Sequence, residues 1–483
     1  MRIAFVVQRY GTDILGGAEH HCRLVAERLA ARHQVDVLTT CARDYLTWAN
    51  EYPEGADRMR GVTVRRFATS RTRDMQAFNR LSERVYHERH TGQDESEWLK
   101  QQGPWSPGLI DYIQRHHQSY DVLVFFTYLY APTVLGIRIA PSKSLLVPTA
   151  HEEPPIHLDM YREVFGSAAA IAWNTEAERR FVSSRFTLRT VVEDVVGCGI
   201  DLPEGEAITE SDGDGHEEAE SGFDKRPQFE WQRRLEGADK REPLAPHLEG
   251  PANAFRRRHR IHEPFVLYGG RIDRGKGCEE LLEYFQAYVR EHGDATLMLM
   301  GAKMMPLPED PHVRFAGLLP DEERLHALEA ATVVVVPSPY ESLSLLALEA
   351  MAAGTPVLVN AQSEVLVEHC RQSHAGLYYA DRWEFCEALK LLMRDAELRA
   401  ALGHNGKLYI NRHYRWGSIL RKYERLFARI AGPSPAPGDR PRDHRPERDR
   451  RPERERDRRP DREGRPERDR GRHDRGRRVR GRA

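Results

Sequence analysis

Apolar positions along this chain recur in short runs rather than in one long block. RIAFVV, VDVLTT, VTVRRFA, YDVLVFFTY, SLLVPTA, AAAIAWN and TVVEDVV punctuate the first two hundred residues. Runs of this length, rich in β-branched residues, suit strands buried on both faces. Between them, residues 18–32, 107–117, 131–139 and 175–184 favour helix. Such alternation predicts a parallel sheet covered by helices. Residues 70–105 break the rhythm with a polar, Arg/Glu/Gln-rich stretch, which predicts a helical insertion serving this protein's own substrate or partner.

A second alternating block begins near residue 255. PFVLYGGR leads into a helix over Cys278–His292, followed by ATLMLMG, VRFAG and a helix over Asp321–Ala331. VVVVPS then precedes a Leu/Ala/Met-rich helix over Leu343–Ala353, which stops at Gly354 before Pro356. PVLVN, a helix over Glu364–Arg371, AGLYYA, and helices over Trp383–Arg394, Glu397–Leu408 and Trp416–Ile430 complete the pattern. The predicted fold class is α/β: two Rossmann-like doubly wound domains, 1–203 and 255–415, facing a cleft, with a last helix over 416–432.

Composition changes this picture at two places. Residues 204–254 lose periodicity and open with EGEAITESDGDGHEEAE, eight acids with no base, which reads as a solvated linker or insertion. Asp212 and Asp214 form a D-x-D on paper, but a structureless acidic run is a poor place for a metal site. Residues 433–483 repeat RPERDR-like units with twenty Arg against twelve Asp and Glu, leaving nine net negative charges on residues 1–432. So few apolar groups cannot offset the entropy of ordering, and this tail is expected to be disordered. Its alternating charges could make weak, salt-sensitive contacts with nucleic acid or anionic surfaces, but a solvated tail is the plainer reading and no specific nucleic-acid partner is expected.

The six cysteines are scattered, without a C-x-x-C pair or clustered histidines, which argues against a disulfide scaffold or a zinc site and fits a reducing cytoplasm. MRIAFVVQRY reads as a strand rather than a signal peptide, and no apolar stretch approaches ~20 residues. A cytoplasmic protein is expected. Arg179, Arg180, Arg185 and Arg189 with Phe181 and Phe186 make a basic-aromatic patch suited to peripheral contact with an anionic membrane surface; a solvated helix face is the plainer alternative.

Four constellations fall where strand ends meet the predicted cleft. Gly16 and Gly17 precede a helix with Glu19 in its first turn, a place where a ligand can approach backbone N–H groups, though glycines also simply punctuate turns. His151 follows SLLVPTA and precedes Glu152, Glu153 and two prolines, so it can meet a substrate hydroxyl or serve structure. Arg271 and Lys276 flank a glycine-rich turn after PFVLYGG, with spacing unlike a Walker loop or a dinucleotide fingerprint. Two cations there can hold a diphosphate. Glu341 and Glu349 sit eight positions apart around the turn after VVVVPS, with Glu349 about two turns into the helix. A carboxylate packed among Leu348, Ala350 and Met351 needs a donor, and a ligand hydroxyl would serve; an N-cap-region acid plus an exposed helix glutamate is the plainer alternative.

The G-R-x-x-x-x-K-G stretch and the E-x7-E within PSPYESLSLLALEAMAAGTPVLV resemble the family 4 retaining glycosyltransferases of GT-B fold, over residues 1–200 and 255–430. GCGID at 197–201 is similar to that family's interdomain linker. The resemblance implies a hexosyltransferase-type enzyme that uses a nucleotide-diphosphate-sugar donor without a cofactor or obligate metal, and a glycan, lipid-linked or small-molecule acceptor. It implies that Arg271 and Lys276 bind the diphosphate and stabilise the departing nucleotide. Glu349 would accept from the ribose hydroxyls, and Glu341 from the sugar. Ser344 and Leu345 amides would support phosphate or sugar, His151 would sit at the sugar, and Gly16 and Gly17 would line the donor phosphate. The last helix would cross back to the first domain, making closure a hinge motion. Where the family commonly has E-G-F-G, this chain has Glu341-Ser342-Leu343-Ser344, a stiffer loop. A nucleotide-sugar epimerase of the same architecture, and a non-catalytic sugar- or nucleic-acid-binding protein using the Arg-rich tail, are the competing readings.

Overall fold

The computed structural model describes residues 1–14, 16–189, 192–202, 250–293 and 295–432. The expectations for 204–249 and 433–483 lie outside the described residues. The seven apolar runs of the first block become strands β1 (Arg2–Val6), β2 (Gln34–Thr40), β4 (Val62–Phe67), β5 (Val122–Phe126), β6 (Ser144–Val147), β7 (Ala170–Trp173) and β8 (Val192–Val195). One further strand, β3 (Gly55–Met59), had no apolar signal. It pairs antiparallel with β4 at the sheet edge, where its largely exposed GADRM sequence has no core to face.

The sheet order is β3-β4-β2-β1-β5-β6-β7-β8. Chain order therefore reverses between β1 and β5, and that boundary is where ligands bind in open α/β sheets. Every residue of β5 and β6 is buried, as strands covered by helices on both faces require. The insertion forms helices Met75–His87 and Gly92–Gln102. They close on the buried Trp98, whose indole N–H donates to Ser82 Oγ at 2.9 Å. Glu95 of the second helix accepts from the N–H groups of Asp159 and Met160 at 2.9 and 2.8 Å, fastening the insertion beside the loop after β6.

The second sheet holds β9 (Phe265–Gly269), β10 (Thr296–Met300), β11 (Val313–Gly317), β12 (Val333–Val336), β13 (Val357–Asn360) and β14 (Gly376–Tyr379) in the order β11-β10-β9-β12-β13-β14, all parallel. Its reversal lies between β9 and β12. Helix Pro251–Arg258 extends this domain four residues into the predicted linker, with Pro251 at its first position and only Phe255 buried.

Two chain crossings lie side by side between the domains. Ile200 N–H donates to Tyr414 O at 2.8 Å, and Arg28 lies 3.8 Å above the Trp416 ring while pairing with Asp201 at 2.6 Å. A Cβ on Gly199 would come within 2.3 Å of that ring, so only glycine fits. Helix Trp416–Ala431 then returns to the first sheet, where it buries Ile419, Tyr423, Leu426 and Phe427. Each contributes about 2 kcal/mol of apolar burial.

Candidate active site

The carboxyl ends of β9 and β12 bring together what 65 residues of chain separate. After β9, Asp273 caps the turn Arg274–Lys276 by accepting from Lys276 N–H at 2.8 Å. Gly277 has φ +72° and a Cβ there would strike Pro337 O at 2.3 Å, so the turn packs directly on the loop after β12. Lys276 Nζ consequently reaches Glu341 Oε1 at 2.7 Å, a half-buried pair with 30% and 16% of the two side chains exposed. The two groups assigned from sequence to diphosphate and to sugar hydroxyls touch each other.

Glu349 lies one turn into helix Leu345–Ala353 rather than two, because Leu343 and Ser344 belong to the loop. Its donor is a protein group: Arg324, from the first turn of helix Asp321–Ala330, pairs with one carboxylate oxygen. Burial pushes the Glu349 carboxyl above its ordinary pKa, and Arg324 pulls it part of the way back. Sequence reasoning missed Arg324, since one arginine in a run of acids carries no signal of its target.

Ser344 takes the left-handed conformation, φ +63°, as the residue before helix Leu345–Ala353, and its hydroxyl makes no cap bond. The loop keeps the turn that glycine favours and accepts the strain of a side chain there, about 1 kcal/mol. Leu345 begins the helix, whose first N–H groups have no intrahelical acceptor.

Arg271 stands apart from Lys276. It pairs with Asp273 at 3.3 Å and lies 5.3 Å from the centre of the Tyr45 ring, which comes from the first domain. Arg9 and Arg73 flank the same ring at 5.6 and 5.3 Å. Arg9 also pairs with Glu19 at 2.6 Å, both nearly buried. Glu19 folds over the start of helix Gly17–Leu29, and a Cβ on Gly16 would sit 1.8 Å from its carboxylate. Gly17 faces open space. The space beside Gly16 is thus taken by the Glu19 carboxylate that pairs with Arg9.

His151, four residues past β6, stacks on Tyr340 of the second domain with ring centres 5.8 Å apart and planes 18° apart. Its Nδ1 is buried without a hydrogen-bond partner. The first-domain site residue therefore abuts the loop that carries Glu341. The basic-aromatic patch forms surface ion pairs: Arg179 pairs with Glu176 and Glu193, Arg180 with Glu364 and Glu368, and Arg185 with Glu152, while Arg180 and Arg185 stay exposed and Phe186 is buried. Among the described residues, no cluster of three His, Cys, Asp or Glu could hold a metal ion, and no helix is long and apolar enough to cross a membrane.

Residues 252–409 match the family model described as glycosyl transferases group 1. This stretch is a group 1 glycosyl transferase domain. The chain is 29% identical over 185 residues to a D-inositol 3-phosphate glycosyltransferase of Corynebacterium kroppenstedtii, covering 35% of this chain and 41% of that one. It is 34% identical over 113 residues to glycogen synthase of Mycobacterium tuberculosis, covering 22% and 27%. The chain spans less than half the length of the curated relatives it matches. In three dimensions, it is similar to sucrose-phosphate synthase of Thermosynechococcus elongatus, with a TM-score of 0.61 and 18% identity over 89% of this chain and 98% of that one. Anabaena HepE in complex with UDP-glucose gives 0.58 and 14% over 89% and 99%. At such identities the likeness is one of fold. The group 1 domain and the domain before it form the two parallel-sheet halves of a GT-B architecture.

Proposed function

We propose that this protein is a retaining, family 4-like glycosyltransferase that moves a hexose from a nucleotide-diphosphate sugar to a glycan, lipid-linked or small-molecule acceptor. The observation that carries the reading is the Lys276–Glu341 pair at the strand reversal of the group 1 domain, facing His151 across the cleft. A cation and an anion 2.7 Å apart hold each other ready in the free protein. A bound donor offers each a new partner: diphosphate oxygens for Lys276 and Arg271, sugar hydroxyls for Glu341. The second oxygen of Glu349 accepts from the ribose while Arg324 keeps the first.

As the bond between the anomeric carbon and the diphosphate breaks, negative charge grows on the departing nucleotide. Lys276 and Arg271 stabilise it most at that moment, the property that lowers a barrier rather than merely tightening binding. These cations do the work a metal does elsewhere, so no obligate metal or cofactor is proposed. The acceptor attacks the same face through an oxocarbenium-like state, without an enzyme nucleophile. Nucleotide-sugars are cytoplasmic metabolites, and we place the enzyme there; any peripheral contact with an anionic membrane falls to Arg189 and to Arg179, Arg180 and Arg185, whose surface ion pairs it would compete with. Thermal shift and slow donor hydrolysis across a panel of nucleotide-sugars test the proposal. One donor should raise Tm and be hydrolysed; a panel with neither effect overturns it.

A further inference from the structure

Glu178 is 1% exposed on helix Glu176–Arg185, and among the described residues no cation forms an ion pair with it. A carboxylate so placed needs other donors. It takes Ala150 N–H and Asn174 N–H, both at 2.6 Å, and Asn174 Nδ2 at 3.4 Å. Ala150 and Asn174 follow neighbouring strands, β6 and β7, and Ala150 is bonded directly to His151. Burial pushes the carboxyl up to about 8, against the pull of these N–H groups, so near neutral pH the group is largely protonated and its place is fixed by these hydrogen bonds.

The same knot reaches the second domain. Asn174 Nδ2 donates to Ser342 Oγ at 3.4 Å. Thr175 Oγ1 accepts from Glu178 N–H at 3.1 Å and donates to Ser342 O at 3.2 Å. From its own domain, the loop is held one residue on, where the Nε2–H of His369 donates to Leu343 O at 2.9 Å. The loop with its left-handed Ser344 is thus strapped from both sides.

We propose that Glu178 is a positioning residue that sets His151 and the Glu341 loop in register across the cleft. It acts through Ala150 on one side and through Asn174 and Thr175 to Ser342 on the other. The role assigned to His151 and Glu341 rests on the glycosyl-transfer reading; the mechanical coupling does not.

Hydrogen exchange on the full chain tests it. In Glu178→Gln one of the two short backbone bonds must face an amide N–H, and losing such a bond is worth about tenfold in local opening. Exchange should quicken about tenfold both at 150–153 and, in the other domain, at 340–345. Quickening confined to 148–153 and 172–178 overturns the proposal. Asn174→Ala keeps the core carboxylate and its Ala150 bond; it should quicken 340–345 while Ala150 stays protected, and no change at 340–345 is again refuting. If the wild type hydrolyses a donor, Glu178→Gln should lower kcat about tenfold with KM within threefold. If it hydrolyses none, the transfer reading fails and the exchange result still decides the coupling.

Discussion

The two sheets reverse chain order in the same way, yet they treat charge in opposite ways at the reversal. In the first domain, Arg9 and Glu19 pair with 10% and 6% of their side chains exposed. In the second, Lys276 and Glu341 pair at nearly the same distance with 30% and 16% exposed. A buried pair is committed, because removing one partner strands the other out of water. A half-open pair can exchange partners, because solvent reaches it. One reversal builds a wall, and the other keeps its charges on offer.

The sharpest way to break this contrast is to delete one cation from each pair. Arg9→Ala should cost about 4 kcal/mol of stability by leaving Glu19 buried and unpaired, seen as a large drop in the urea midpoint. Lys276→Ala should leave that midpoint nearly unchanged while lowering donor turnover about 300-fold. Equal losses of stability in the two variants would erase the distinction.

A smaller effect belongs to His369, which straps Leu343. Burial lowers its pKa to about 4, so the native ring is neutral and folding favours the proton-free form. Its contribution is complete above the ordinary pKa of 6.5 and drains away as pH falls towards 4, by roughly 3 kcal/mol in all. Urea midpoints measured between pH 7 and 4 should fall more steeply in the wild type than in His369→Gln. Smallest of all is Ser344→Gly, which relieves a left-handed side chain. It should raise stability by up to about 1 kcal/mol in thermal unfolding, less whatever freedom glycine adds to the unfolded chain.

Most strands were legible because burial on both faces leaves long apolar runs, as in VVVV at 333–336. β3 was not, because an edge strand with exposed polar residues has no such signature. The individual ends of the site were legible for the same reason: Lys276 and Glu341 each follow a strong strand. Their mutual contact was not, since it depends on β9 and β12 being neighbours, a matter of strand order that no local pattern records. Arg324, Tyr45, Tyr340 and Glu178 were invisible on similar grounds. Each matters for what it touches from a distant element, and an arginine or glutamate on a helix looks the same whether it faces water or a carboxylate. The arginines at 179–185 show the converse, a patch in sequence that folding spends on partners from three other segments.

The returning helix Trp416–Ala431 makes synthesis and folding run out of step. Helix Gly17–Leu29 covers one part of a face of the first sheet, and the part over β5 to β8 is covered by Ile419, Tyr423, Leu426 and Phe427, which leave the ribosome some two hundred residues after β8. Until then that second part is open and apolar, exposed to whatever else in the cell binds such surfaces. The first domain is thus finished last, and no break between 202 and 416 divides the chain into halves that each own a complete core.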